Sequence, residues 1–531
     1  LKLQKVIKWV LISLTSLVSL FFVIWMVLKI TPLMALELAL SYNWDTPVYW
    51  IMGRSIMNGL LPYVDMFEIK GPGIFFITYF SFLTSGGPWV GNLINFIALL
   101  FVGLSPIGVL LAQAKNFGLK AVNFIAYPIA LIAGGLLMIY TGDLAGQIQT
   151  ESYGAGFACV YLMIIASLDA EKVRWNNKYL WISSLFLIMS VAMKEPFVLL
   201  CFAGALLFCT GIKQVIKLFV LPLVYAASIG SIFMLATGMF LPYVNDYILY
   251  ILTKHVGRYG SIWDRAFAFD KVFDEVWKYN NLLLALILVS FILAVVFQFL
   301  FAKRNTLWYY IFNTIKFVPI AVFPVLAVAF GGEFYGHHYA FAVPVYIALV
   351  MFVLREIALK EEIKKEKIVM FRNFIRQYAL VCLLLFSFTI VYFIGPYSLT
   401  VTQNACLNNN DTLRADAKKV DDLLDKMGES RYLYLGMNGP VFPGLTIHSP
   451  QGPIFMQDPR WFSGAQSEFF IKNLTTEIQN TKLVVVQVSN EKAIFGTVRD
   501  YLYKNFTEKP PTLLSKMDFP SIAAYKVYFR K

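Results

Sequence analysis

Charge is scarce in this chain. Asp, Glu, Lys and Arg make up 15% of its 531 residues, and it has four histidines and five cysteines. With 58% hydrophobic residues and a positive mean hydropathy, so little charge excludes an ordinary soluble protein and points to a polytopic membrane protein. Cys159, Cys201, Cys209 and Cys382 fall in apolar runs, and only Cys406 lies in the polar C-terminal part. A lone cysteine there forms no intrachain disulfide, and no Cys/His spacing suggests a zinc site. Internal repeats and low-complexity tracts are absent as well. The net charge of +13 does not imply a nucleic-acid partner, because Lys and Arg cluster in short loops between apolar runs, the pattern of cytoplasmic loops.

Apolar stretches long enough to cross the hydrocarbon core give about eleven spans. They fall at 9–30, 89–113, 121–140, 152–168, 179–193, 197–211, 218–238, 281–301, 317–330, 339–354 and 377–396. The first, behind Lys2, Lys5 and Lys8, is read as a span and not as a signal peptide, since it is long enough to cross and no small-residue cleavage site follows. The resulting topology has a cytoplasmic N-terminus, external loops at 31–88, 141–151, 239–280 and 331–338, and every short basic loop inside. Within the first external loop, the apolar stretch Gly73 to Leu83 is assigned to a membrane-surface helix. Counting it as a span would place the basic loops outside, against the positive-inside rule. The charged segment Arg355 to Arg376 reads as an amphipathic helix facing solvent or lipid headgroups.

The domain division is 1–396, a transmembrane catalytic domain, and 397–531, a soluble extracytoplasmic α/β domain. In the latter, helical patterns cover Thr412–Met427, about 465–479 and 495–506, and strands are expected at Tyr432–Leu435, Lys482–Val488 and Ala523–Phe529.

The first external loop gathers much of the scarce charge. It holds Trp44-Asp45-Thr46-Pro47 and then Gly59-Leu60-Leu61-Pro62-Tyr63-Val64-Asp65-Met66-Phe67-Glu68-Ile69-Lys70-Gly71-Pro72. Ionisable residues at the membrane surface of such a chain are costly and tend to be functional. Asp45 admits two readings: a general base, or the N-cap of a helix starting at Thr46-Pro47. Glu68 and Lys70 read either as ligand-binding groups or as a local ion pair at a turn. Lys194, in Met193-Lys194-Glu195-Pro196, breaks the positive-inside pattern; an anion partner or snorkelling to headgroups explains it. His337 and His338 are two of the four histidines. Adjacent histidines on a helix point in different directions, so no metal site is expected there; they either bond a phosphate or sugar hydroxyl or pack at the interface.

This arrangement resembles the GT-C superfamily of integral-membrane glycosyltransferases, in particular the relatives of protein mannosyltransferases and of the lipid A aminoarabinose transferase. The resemblance covers roughly residues 40 to 340. It rests on an acid after the first span (Asp45), a Gly-x-x-Pro/Tyr stretch (Gly59 to Tyr63), an acid-Lys-Pro element (Glu68, Lys70, Pro72) and Lys194-Glu195-Pro196, which is similar to the family's Lys-Gly-Pro after the fifth span. Thr46 stands where the family has a second acid, which leaves the role of a second carboxylate open.

The resemblance implies a GT-C fold and inverting transfer of a sugar from a polyprenyl-phosphate donor to an external glycan, lipid or protein acceptor. Asp45 would be the base. Lys70, Lys194, Arg258, His337 and His338 would hold the donor phosphate. Asp65, Glu68, Asp143, Glu151, Trp44, Tyr63 and His255 would serve the acceptor or sugar. Arg258 suits a phosphate because its planar fork binds two oxygens. No cofactor is called for, and a divalent cation stays open because some branches of the family use one. Membrane lipids are the remaining partners, and the location implied is a bacterial cytoplasmic membrane. The rival readings are a flippase or transporter of lipid-linked sugars and a polysaccharide polymerase or ligase.

Overall fold

The computed structural model describes residues 45–117, 126–144, 149–252, 307–329, 336–359, 410–436, 441–452, 467–487, 496–508 and 525–531, with a few isolated positions besides. In chain order the helices are α1 (Thr46–Met57), α2 (Pro72–Ser85), α3 (Trp89–Phe117), α4 (Ala126–Leu144), α5 (Thr150–Ser167), α6 (Lys178–Met193) and α7 (Phe197–Leu206). There follow α8 (Ile212–Ala236, with a π turn at Ile216–Val220), α9 (Leu307–Ile315), α10 (Phe317–Ala329) and α11 (Val343–Leu359). The C-terminal part holds α12 (Asn410–Met427), α13 (Val441–Leu445), α14 (Ser467–Asn480) and α15 (Gly496–Asn505) with five strands. The chain is therefore helical and apolar with a small α/β portion at its C-terminal end, the class expected. The expected spans 9–30, 281–301 and 377–396 lie outside the described residues, isolated positions aside.

The chain forms two compact units. The first is Leu1–Thr31, Asn92–Phe233 and Tyr259–Leu399; the second is Pro32–Gly91, Met234–Arg258 and Thr400–Lys531.

Four helical stretches among the described residues, most of their length in the first unit, are long and apolar enough to cross a membrane: Trp89–Gln113, Ile212–Ala236, Ile311–Ala329 and His337–Arg355. The last is 94% buried within the protein and Ile212–Ala236 only 28%, so α11 is a central helix while α8 keeps most of its apolar surface for lipid. Small residues let the backbones approach: a Cβ on Gly156 would collide with the Ala98 carbonyl of α3, and one on Gly134 with that of Gly103. Two loops are shorter than the sequence suggested. α4 continues to Leu144, which makes the backbone of Asp143 helical. A 3₁₀ turn, Gly336–Ala342, leads directly into α11.

The second unit begins with α1 and α2. The 14 residues of α2 span about 21 Å at 1.5 Å per residue, short of a hydrocarbon core of about 30 Å. The two helices run side by side in the same direction. Gly53 lies against Thr78, where any Cβ would collide, and the Thr78 hydroxyl reaches the Tyr49 carbonyl at 2.8 Å. Farther along, Trp50 meets Phe82 edge-on at 5.2 Å. The expected loop 239–280 is helical over Phe240–Pro242 and Tyr243–Leu249. Gly238, at φ +73°, ends α8. The new helical segment then turns Tyr243 and Tyr247 against Tyr63, and Tyr250 beyond it against Phe67.

The C-terminal sheet has strand order β2-β1-β3-β5-β4, with β1 (Arg431–Leu435) parallel to β2 (Ser449–Pro450) and β3 (Leu483–Gln487). β5 (Tyr525–Arg530) runs antiparallel to β3 and to β4 (Phe506–Thr507). Alternation sorts β1 between two cores. Tyr432 and Tyr434 face Ala417, Val420 and Leu424 of α12; Leu433 and Leu435 face Leu474 and Ile478 of α14 and Val498 of α15. Among the elements that sequence patterns missed are β2, β4 and α13, five residues or fewer each.

Candidate functional site

Asp45 and Lys70 are 25 residues apart in sequence, yet Lys70 Nζ donates to Asp45 Oδ2 at 3.1 Å. The reason is local. Each stands two residues ahead of a proline that opens a helix, Pro47 in α1 and Pro72 in α2. Because α1 and α2 run in the same direction, their N-termini converge and bring the two side chains together. Asp45 makes no side-chain cap on α1. It does occupy the N-cap position the sequence suggested, its carbonyl accepting from the Tyr49 N–H at 3.2 Å, while its carboxylate is left for Lys70. The pair is about one fifth exposed on each side (18% and 21%), and so reachable by a ligand. Both helix dipoles add positive potential there, favourable to an anion.

The return segment between the helices fixes Lys70 from behind. Tyr63 has φ +66°, the only non-glycine residue with positive φ among those described. Such a conformation costs of order 1–3 kcal/mol and persists where surroundings enforce it. Here the Tyr63 N–H donates to the Met66 carbonyl at 2.7 Å and its hydroxyl donates to the Lys70 carbonyl at 2.6 Å. Its ring packs against Phe75, Tyr243 and Tyr247. Tyr63, expected to meet a sugar, is buried and positions the Lys70 backbone instead. Asp65, expected to help place an acceptor, accepts from the Leu61 N–H at 2.8 Å and closes a turn. Glu68 is 3% exposed and accepts from the Ile69 N–H at 2.8 Å, so it faces inward.

Arg54 was missed, although a lone charge in the apolar helix TPVYWIMGRSIM was a usable signal. Its guanidinium lies over Phe82 and donates to the carbonyls of Gly444 and Thr446. Burial pulls its pKa down, opposed by Asp421 and Tyr432. Asp421 in turn accepts from the Ile447 and His448 N–H groups at 2.8 and 3.0 Å. Asn58 adds a bond to Ser449 Oγ at 2.8 Å. This ties α1 to the loop between α13 and β2. Arg54→Met should destabilise the protein by about 2 kcal/mol, the loss of charge-assisted bonds to buried carbonyls. Thermal unfolding in detergent checks this: Arg54→Lys should fall between, and an unchanged melting temperature would refute it.

A second carboxylate–lysine pair lies in the first unit. Glu151, in the first turn of α5, is fully buried and accepts from Lys194 Nζ and, at 2.9 Å, from the Thr150 hydroxyl. Lys194 is the C-cap of α6. Its ammonium also lies 3.3 Å from His338 Nε2 and 5.3 Å from the centre of the Phe341 ring. His337 Nε2 lies 4.0 Å from Glu151 Oε1. Glu151 is thus an anion partner of Lys194. The expectation that the two histidines diverge is also corrected. In the 3₁₀ turn their rings meet edge-on at 4.5 Å, and one donor atom of each lies within 4.8 Å of the Glu151 carboxylate. Trp44, His255 and Arg258 lie outside the described residues, and of Asp143 only the backbone is described.

No protein-family model matches this sequence, and no curated protein matches it. Among solved structures, the chain is similar to ArnT from Cupriavidus metallidurans bound to undecaprenyl phosphate, at 13% identity and a TM-score of 0.49, over 96% of this chain and 97% of that one. It is likewise similar to the apo state of the same protein, at 13% identity and a TM-score of 0.48, over 97% and 98% of the two chains.

Proposed function

We propose that this membrane protein transfers a sugar from a polyprenyl-phosphate donor to an acceptor hydroxyl on the extracytoplasmic side. The observation that carries the reading is the Asp45–Lys70 pair at two converging helix N-termini. Transfer needs a base for the acceptor proton and a cation for the leaving phosphate, close together but separable. Donor phosphate draws the Lys70 ammonium away from Asp45, which frees the carboxylate. The acceptor oxygen then attacks the anomeric carbon, the bond from that carbon to the phosphate oxygen breaks, the proton passes to Asp45, and polyprenyl phosphate leaves with Lys70 beside it. The product is inverted. Arg258, which follows the aromatic segment that packs on Tyr63, is proposed to hold the same phosphate bidentately.

The test is an assay of purified protein with a small panel of synthetic polyprenyl-phosphate sugars, scoring release of polyprenyl phosphate together with a glycosylated acceptor. Movement of intact donor across a vesicle membrane without cleavage would replace the enzyme reading with a transporter.

An extracytoplasmic C-terminal portion belongs to this proposal, and the clustering of Lys and Arg in the short loops supports it through the positive-inside rule. An impermeant thiol reagent applied to intact cells should modify Cys406. Labelling only after lysis would overturn the topology.

A further inference from the structure

We propose that Glu151, His337 and His338 form a binding site for a divalent transition cation of the zinc type, and that Lys194 competes with the ion for it. The proposal stands on geometry in the first unit and does not depend on glycosyl transfer. Each of the three residues offers one donor atom, and all three lie within 4.8 Å of one another. The donor set, two imidazole nitrogens and one carboxylate oxygen, suits borderline cations such as Zn²⁺ and not the all-oxygen preference of Mg²⁺ or Ca²⁺. Zinc bonds of about 2.0–2.1 Å place tetrahedral ligands about 3.4 Å apart, so the donors need to close in by roughly 1 Å. Side-chain rotation supplies that, and His337 Nε2 already lies 4.0 Å from Glu151 Oε1.

The surroundings fit a metal ligand set. The Thr150 hydroxyl donates to Glu151 Oε2, which leaves Oε1 directed at the histidines and Lys194. Such outer-shell bonds orient a ligating carboxylate. The His338 ring is stacked on Phe341, itself packed on Phe197, and is 8% exposed. The two histidines come from one turn and Glu151 from another helix, so an ion would join α5 to the segment leading into α11.

Lys194 sets the terms. Its ammonium bonds Glu151 Oε1 and approaches His338 Nε2, so it sits among the donor atoms where the ion would go. Both cations need the same oxygen, and two charges at that spacing repel. Metal entry therefore requires Lys194 to leave, and its position at the end of α6 with a four-carbon stem lets it swing along the Phe341 ring. The site is an ammonium-filled cation pocket that exchanges its occupant.

The experiment is titration of the full-length protein in detergent with Zn²⁺ by calorimetry, and with Co²⁺ by visible absorption, in chelator-treated buffer. Lys194→Met should bind at least tenfold more tightly than wild type, with one ion per chain and an intensified Co²⁺ spectrum. Adding His338→Ala or His337→Ala to Lys194→Met should abolish that gain. A tighter, stoichiometric site cannot result from misfolding, so Lys194→Met keeps the test meaningful even if a histidine variant folds poorly. Absence of Zn²⁺ binding in both wild type and Lys194→Met would overturn the proposal. Binding that survives loss of both histidines would overturn it too, by placing the ion elsewhere.

Discussion

Asp45→Asn should slow sugar transfer by at least about a hundredfold while leaving donor binding near the wild-type level. Asn has almost the same shape, keeps an oxygen that can accept from Lys70, and does not alter the start of α1, because Asp45 makes no side-chain cap there. What it removes is the ability to take a proton. A general base contributes on the order of 10² to 10⁴ in rate, and no other carboxylate in the α1–α2 region is placed to substitute. Asp65 is committed to the Leu61 N–H, and Glu68 is buried and turned to the Ile69 N–H. The measurement is turnover with saturating donor and acceptor, alongside donor binding measured directly. Retention of more than about a tenth of wild-type turnover would remove Asp45 from the role of base, since that loss is far below the general-base range.

The parts of this molecule legible in its sequence are those set by periodicity. The α/β elements of the C-terminal part appear within a few residues of their expected limits, because their apolar alternation is strong and both faces of the sheet are buried. α2 was legible as a helix over Gly73 to Leu83, and the structure extends it to Pro72–Ser85. The site was legible only as a set of residue types. That Asp45 and Lys70 touch depends on α1 and α2 running in the same direction, and this rests on the fit of Gly53 to Thr78, which no one-dimensional pattern encodes. The same limit applies to His337 and His338. The expectation that they diverge counted backbone directions alone, which differ by about 120° between neighbours in the 3₁₀ turn where they lie; their side chains nonetheless bring the rings together at 4.5 Å. The resemblance implied an acceptor or sugar role for Tyr63, but its ring is turned inward on Phe75, Tyr243 and Tyr247.

Lys70→Ala should weaken donor binding and lower turnover by roughly 10² to 10³, the range found when one donor to a developing anion is removed. Lys70 is held for that task from three sides. The Tyr63 hydroxyl fixes its carbonyl, the Gly71-Pro72 start of α2 fixes the backbone that follows, and Asp45 holds the ammonium in the absence of phosphate. Its partial exposure leaves the charge reachable from outside. Lys70→Arg should recover only part of the loss. A guanidinium is wider than an ammonium and its planar fork differs in geometry, while the strained turn at Tyr63 leaves the backbone little room to adjust. The role is distinguished from that of Asp45 by titrating donor with acceptor saturating, and then the reverse. The Lys70 variants should raise the donor concentration needed for half-maximal rate and leave the acceptor's nearly unchanged. A shift confined to the acceptor, or no change in either, would show that the ammonium serves only to pair with Asp45. The converging helix N-termini would then hold a salt bridge and not a phosphate.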